Sequence, residues 1–288
     1  MQAIASTGIR IAMTTAWLVV ANPVLGQDDA APITYSLANP VPRNALREFA
    51  PDRPSETEGP YTVDAGHLQI EMDAARYTRD RDQDLLVETL RAAPLNLRLG
   101  LADSTEVQLL AEPYVHELTR NRANGERDVA RGFGEVTLRL KHNLLGNDGE
   151  GAAVALLPFV TLPTSDDGVG TRLVEFGLIV PLAVPLSDQV SLGAMSKIDF
   201  AEKDDGEGRA ARLIHSAVAT FELSDRLGTY AEIYTERSTE RGADWIVTGD
   251  LGLTYKVAED LQLDGGVNLG ITDAADDVEV FVGLSRRF

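Results

Sequence analysis

Four histidines and a scatter of serines are the residues here that could support nucleophilic chemistry, because a neutral imidazole can take a proton from a hydroxyl. His215 lies beside Ser216, but neighbours along an extended chain point to opposite faces, so these two cannot act as base and nucleophile. His67, His116 and His142 have no Ser-rich motif beside them, and neither a nucleophile elbow nor an HExxH pair occurs. Asp80, Asp82 and Asp84, and likewise Asp204, Asp205 and Glu207, offer oxygen ligands of the kind calcium takes. The glycine and glutamate of an EF-hand do not follow Asp80, and solvated loop charge accounts for both groups. With 0 cysteines, thiolate metal sites and disulfides are also excluded. The sequence implies no enzyme, metal site or cofactor.

More chemistry is available to charged and aromatic side chains that recur at every second position. Glu106, Glu112, Glu135, Arg139, Lys141, Glu175, Lys197, Asp199, Arg212, Glu222, Glu232, Glu236, Asp250, Lys256, Asp264 and Glu279 share one parity. Tyr114, Phe159, Tyr230, Tyr234 and Phe281 fall on it too. If the opposite, apolar parity meets lipid, all of these are expected to face a lumen. Two arrangements follow: rings of charge that select which solutes pass, or a salt-bridged interior that holds the barrel shut. The aromatics could line a stacking path for an aromatic solute or simply fill space.

The elements that must position them are strands. Met1 to Gly26, with Arg10, the apolar run Ile11 to Ala21, Pro23 and Gly26, reads as a signal peptide cleaved near Gly26. Residues 27–64, rich in proline and charge, read as an extended periplasmic lead-in that could also plug the lumen from below. From residue 65 to 288 the pattern has period 2. In Leu261, Leu263, Gly265, Val267, Leu269 and Ile271 one face is apolar, and Gln262, Asp264, Asn268 and Thr272 make the other polar. Similar segments near 66–78, 89–101, 104–118, 132–145, 151–162, 172–186, 189–201, 210–223, 227–238, 245–257 and 278–288 bring the expected number to about twelve.

Their length suits tilted membrane strands, which need roughly 9–11 residues in the hydrocarbon. Tight connections near Asp103, Asp188, Asp225 and Glu259 alternate with longer, charged ones, as in a transmembrane barrel. On the apolar parity, Phe176, Phe200 and Trp245 fall toward the outer strand ends and Phe221, Tyr255 and Phe288 toward the periplasmic ends. Phe288 also resembles the C-terminal signal read by the barrel assembly machinery. The fold expected is therefore all-β, an antiparallel transmembrane β-barrel of about twelve strands.

Arg53, Pro54 and Ser55, followed by Pro60, Thr62, Val63, Gly66, Leu68, Gln69 and Glu71, then Gly132 to Glu135 through Lys141, then Pro158, Leu162, Pro163 and Thr164, carry a resemblance. The chain is similar to the family named for the MetA pathway of phenol degradation. Glu135 stands where that family more often has Asp, a change that keeps the carboxylate. The resemblance implies a transporter-like outer-membrane barrel associated with aromatic compounds, and no enzymatic mechanism.

A net charge of −19 argues against nucleic acid as a partner, because no basic stripe is available to neutralise phosphates. The partners expected are outer-membrane lipid, the assembly machinery through the last strand, and a small-molecule solute. The function expected is passive passage of small solutes, aromatic or hydrophobic ones among them. The alternative is a structural or surface-interaction barrel with a closed lumen.

Overall fold

The computed structural model describes residues 34–166, 168–203 and 205–288. The signal peptide expected over residues 1–26, its cleavage point and the first residues of the lead-in lie outside the described residues.

Alternation of apolar and polar side chains yields β1 (Leu68–Asp82), β2 (Leu85–Ala92), β3 (Leu95–Ala102), β4 (Thr105–Ala111), β5 (Tyr114–Asn121), β6 (Arg127–Gly132) and β7 (Val136–Leu145). It continues through β8 (Ala153–Leu162), β9 (Glu175–Ser187), β10 (Val190–Glu202), β11 (Arg209–Glu222), β12 (Leu227–Ser238), β13 (Ile246–Ala258), β14 (Leu261–Gly270) and β15 (Val278–Arg287). All pairings are antiparallel, and β15 pairs with β1, which closes the sheet. On one side β1 pairs with both β3 and β2, so β2 with β3 is one interrupted strand; β4 with β5 and β6 with β7 are two more. The barrel therefore has twelve strands. Closure removes the unpaired edge that an open sheet would expose to hydrocarbon.

The interruptions lie side by side. A register shift between Asp73 and Ala75 in β1 is flanked by Ala93 and Pro94, then by Glu112 and Pro113, then by Phe133 to Glu135. Ala93 has φ 55°, and Pro94 and Pro113 bring no N–H to the ladder. Across this line each of the four strands gains a residue out of register, and inward and outward positions exchange. Below it Gln108 is buried inside; above it Val115 and Thr89 are, and Tyr114 is 40% exposed on the outer face. The expectation that Tyr114 faces the lumen is thus corrected: period 2 does not survive the break at Pro113.

Burial is inverted relative to a soluble protein. Leu251, Leu253 and Val282 are more than half exposed, whereas Arg98, Glu106, Gln108 and Lys141 are fully buried. An apolar outer band around a charged interior is the pattern of a membrane-spanning barrel. Phe176, Phe200 and Trp245 at one end of their strands and Phe221, Tyr255 and Phe288 at the other are all exposed on this surface.

Three inward aromatics owe their position to a glycine on the next strand. Phe159 pairs with Gly177, Tyr230 with Gly252 and Phe281 with Gly266. A Cβ on Gly177 would stand 2.7 Å from the Phe159 ring, and one on Gly266 would stand 2.7 Å from the Phe281 ring. Lacking Cβ, each glycine lets the ring lie against the wall instead of projecting across the lumen.

Candidate functional site: the barrel lumen

The lead-in enters from the end where the short turns lie. Leu37 N–H bonds Leu101 O at 3.3 Å, Val41 N–H bonds Ala65 O at 3.0 Å, and both nitrogens of His67 face oxygens, Val41 O and Phe288 O, at 2.8 Å. Beyond Arg47 the chain runs inside the barrel. The sequence leaves open whether residues 27–64 plug the lumen; in the described part, Asp52 to Asp64 occupies it. The reason is complementarity: its carboxylates meet the wall's cations, and its backbone N–H groups meet the wall's carboxylates.

At the centre Arg98 is fully buried and bonds Glu71 at 2.7 Å, Glu106 at 2.9 Å, Asp52 at 3.1 Å and Tyr61 O at 2.9 Å. Lys141 places Nζ 2.7 Å from both oxygens of Asp52. Arg53 reaches Asp264 at 2.5 Å and Asp73 at 2.6 Å, and Arg76 joins Glu56 at 3.0 Å to Glu279 at 2.7 Å. Both guanidinium groups lie over Phe281, at 5.6 and 4.7 Å from its centroid. Glu58 pairs with Arg139. Glu232 accepts Glu56 N–H at 2.9 Å and Thr57 N–H at 2.7 Å, and also the Thr57 hydroxyl.

Burial alone would raise the Asp52 carboxyl, but Arg98 and Lys141 outweigh it and hold the group below the ordinary carboxylate range. Arg76 does the same for the buried Glu56. Arg53 is likewise desolvated, yet Asp264 and Asp73 hold its proton more firmly than water would.

The other predicted lumen residues divide between the two mouths. Toward the outer end, Arg212 bonds Asp199 at 2.9 Å and lies 3.6 Å from Glu175 and 3.7 Å from Glu236, while Lys197 bonds Asp199 at 2.9 Å and covers the Phe159 ring at 5.0 Å. The Tyr234 hydroxyl donates to Glu236 at 2.8 Å. Glu135 accepts Thr171 N–H at 2.6 Å, and Glu112 pairs with Arg91 at 3.1 Å. At the short-turn end Lys256 lies 3.6 Å from Glu222 and 3.7 Å from Glu48. Tyr230 and Asp250 are buried in the wall, with the Tyr230 hydroxyl and both Asp250 oxygens lacking hydrogen-bond partners.

Space remains on both sides of the lead-in. A cavity of about 360 Å³ separates it from β9–β13 and is lined by Tyr61, Ser191, Val218, Thr220, Tyr230 and Thr254 among others. A second, of about 510 Å³, opens above Asp52 to Glu58 and is lined by Arg76, Arg91, Glu112 and Arg139. The inner face of β8–β11 is apolar at Ala155, Leu157, Ile179, Met195 and Ile214, with Phe159 and Tyr234 packed against it.

The predicted set missed Arg98, Glu71, Asp73 and Arg76. Arg98 was readable, since Leu97 and Leu99 on either side mark it as inward. Arg76 lies just past the register shift in β1, so its parity misleads. His215 does meet a hydroxyl, but across strands: its Nδ1 lies 3.0 Å from Ser196 Oγ on the outer face, and His142 Nδ1 lies 2.9 Å from Thr105 Oγ1. Among the described residues no carboxylate hydrogen-bonds either imidazole, so neither pair is a triad.

A family model described as "Putative MetA-pathway of phenol degradation" matches residues 51–288. Among solved structures the chain is similar to the NanC porin, at 10% identity over 76% of this chain and 98% of that one with a TM-score of 0.48. It is also similar to the CymD monoaromatic hydrocarbon channel, at 9% identity over 77% and 88% with a TM-score of 0.45. The translocator domain of the autotransporter NalP from Neisseria meningitidis matches at 9% identity over 77% and 88% with a TM-score of 0.48. No curated protein matches the chain.

Proposed function

We propose, from the premise that this chain belongs to the phenol-degradation family whose model it matches, that it is an outer-membrane channel for passive passage of small aromatic or hydrophobic solutes. The observation that carries this reading is the cavity between lead-in and wall, where the Tyr61 and Tyr230 rings, Val218 and the hydroxyls of Ser191, Thr220 and Thr254 surround about 360 Å³. That lining suits an uncharged ring bearing a hydroxyl, which needs stacking surface and a few hydrogen bonds and no counter-ion. The lead-in is held by ion pairs and hydrogen bonds, so it moves only where water or another partner takes up the charges it leaves. Charged groups at both mouths, Arg91 with Glu112 on one side and Lys256 with Glu222 on the other, set which solutes approach. As partners the reading takes outer-membrane lipid around the apolar band, the small solute, and the barrel assembly machinery at β15 and the exposed Phe288 that follows it.

A closed, structural barrel is the second reading, favoured by the depth to which Arg98 and Lys141 grip Asp52. Single-channel recording of the refolded mature chain in a planar bilayer separates them. Stable conductance steps that small phenols reduce support the channel, and an inserted but silent barrel supports the structural reading.

A further inference from the structure

We infer that the outward face of the extension formed by β1, β2, β5 and β6 binds the phosphorylated sugar headgroup of an outer-leaflet glycolipid. The sequence Thr78–Arg79–Asp80–Arg81–Asp82 alternates in charge, and the sheet sorts that alternation by face. Thr78 turns inward, donating to Glu279 at 2.9 Å, so Asp80 and Asp82 share the inward side and Arg79 and Arg81 point out. Register carries the sorting across the extension: Arg81 pairs with Leu86, Leu86 with Arg120, and Arg120 with Arg127, while Arg131 pairs with outward His116. Asp128 pairs with Thr119, on the inward side. Five arginines therefore share one face of a chain whose net charge is −19, and Glu88, 3.6 Å from Arg120, is the carboxylate among them.

Two features point to an anionic ligand on this face. The Nε atoms of Arg79 and Arg120 are buried without a hydrogen-bond partner and Arg120 reaches Glu88 only at 3.6 Å, so neighbours on the sheet do not fully engage these guanidinium groups. Arg81, Arg127 and Arg131 are exposed. The geometry selects a lipid over a soluble anion. Arg79 pairs with Val278, the first residue of β15, so Arg79, Arg81, Arg120 and Arg127 stand at and above the outer rim of the barrel, with Arg131 one row below it. On the same face exposed Val129 lies in the row of Arg79, and exposed Leu90 lies one row below, in the row of Arg131. A headgroup with more than one phosphate can engage the forked donors while its acyl chains cover the apolar surface beneath. This assignment is independent of what the lumen carries.

The test uses the full mature chain in neutral detergent, equilibrated with fluorescent lipid A, with its dephosphorylated form, and with fluorescent phosphatidylglycerol. Lipid A is expected to be retained at least tenfold more tightly than either other lipid, and an equal concentration of inorganic phosphate is expected not to displace it. The combined Arg81→Gln, Arg127→Gln and Arg131→Gln variant should lose that tenfold, and Asp80→Asn with Asp82→Asn should keep it. Should the triple variant not fold, added salt must weaken lipid A retention by the unaltered chain. Equal retention of the dephosphorylated lipid or of phosphatidylglycerol overturns the assignment. So does displacement by free phosphate, or indifference to both the substitutions and salt.

Discussion

The two sides of the lumen solve different problems. From β14 through β15 and β1 to β7 the inner wall is ionic, and each buried charge there has an assigned partner on the lead-in: Arg98 and Lys141 take Asp52, Asp264 takes Arg53, Arg76 takes Glu56 and Arg139 takes Glu58. Midway along β8 to β11 the inner wall is Ala155, Leu157, Ile179, Met195 and Ile214, and the charges nearer the outer end, Glu175, Lys197, Asp199 and Arg212, pair with one another instead of with the lead-in. Buried ion pairs add little net stability over apolar packing, because desolvation offsets attraction, but breaking one leaves a charge stranded. The ionic side therefore determines where the lead-in sits, and the apolar side meets it chiefly through one hydroxyl pair, Thr57 with Ser216 at 2.6 Å.

Single substitutions on each side expose that asymmetry. Arg98→Met leaves Glu71, Glu106 and Asp52 without their common cation and is expected to cost about 3–5 kcal/mol. Ile214→Val on the apolar side removes one methylene and is expected to cost about 0.5–1.5 kcal/mol. Urea unfolding in the same lipid measures both, and equal losses would erase the distinction between the two sides. Acid provides the next largest effect. The Asp52 and Glu56 carboxyls are held below their ordinary range, so they favour the seated lead-in at every pH above their unfolded values, about 4. That contribution disappears only as pH falls through the lower folded values. The lead-in should therefore resist proteolysis at pH 7 and at pH 5, and an acid-active protease should cut it only once the pH has fallen below the depressed folded values of these carboxyls. Resistance maintained to pH 2 would show that these carboxylates do not hold it.

The strand pattern was legible because a barrel in lipid needs one apolar and one polar face, and β14 keeps that alternation throughout, as does β13 up to a register shift past Lys256. Inward positions such as Lys141, Arg212, Glu232 and Phe281 follow from it directly. Tyr114 did not, because the break at Glu112 and Pro113 reverses the parity, and a proline within a strand signals an interruption without giving its size. The seat of the lead-in was not legible either. Arg53 and Asp264 are 211 residues apart, and a run of prolines and carboxylates looks the same whether water or guanidinium groups surround it.

Two smaller changes refine the account of the wall. Gly252→Ala would drive Cβ into the Tyr230 ring and to 2.6 Å from Gly265 O, whereas at Gly249 the nearest atom to an added Cβ is Ile271 Cδ1 at 3.4 Å. The first is expected to cost about 1–3 kcal/mol through overpacking and the second close to nothing, again by urea unfolding. Equal effects would mean that the aromatic–glycine pairs are not what sets ring position.

Tyr230→Phe should have the smallest effect and the opposite sign. The ring keeps its seat against Gly252, and the hydroxyl it loses is buried with no hydrogen-bond partner, an arrangement that costs about 1–3 kcal/mol where it is complete. Unfolding should thus show no loss of stability and a gain of up to about 1 kcal/mol, since water in the adjoining cavity can reach part of this surface. A loss instead would mean that the hydroxyl is bridged, most directly to Asp250, whose two oxygens are also without partners, and that this stretch of wall belongs with the ionic side.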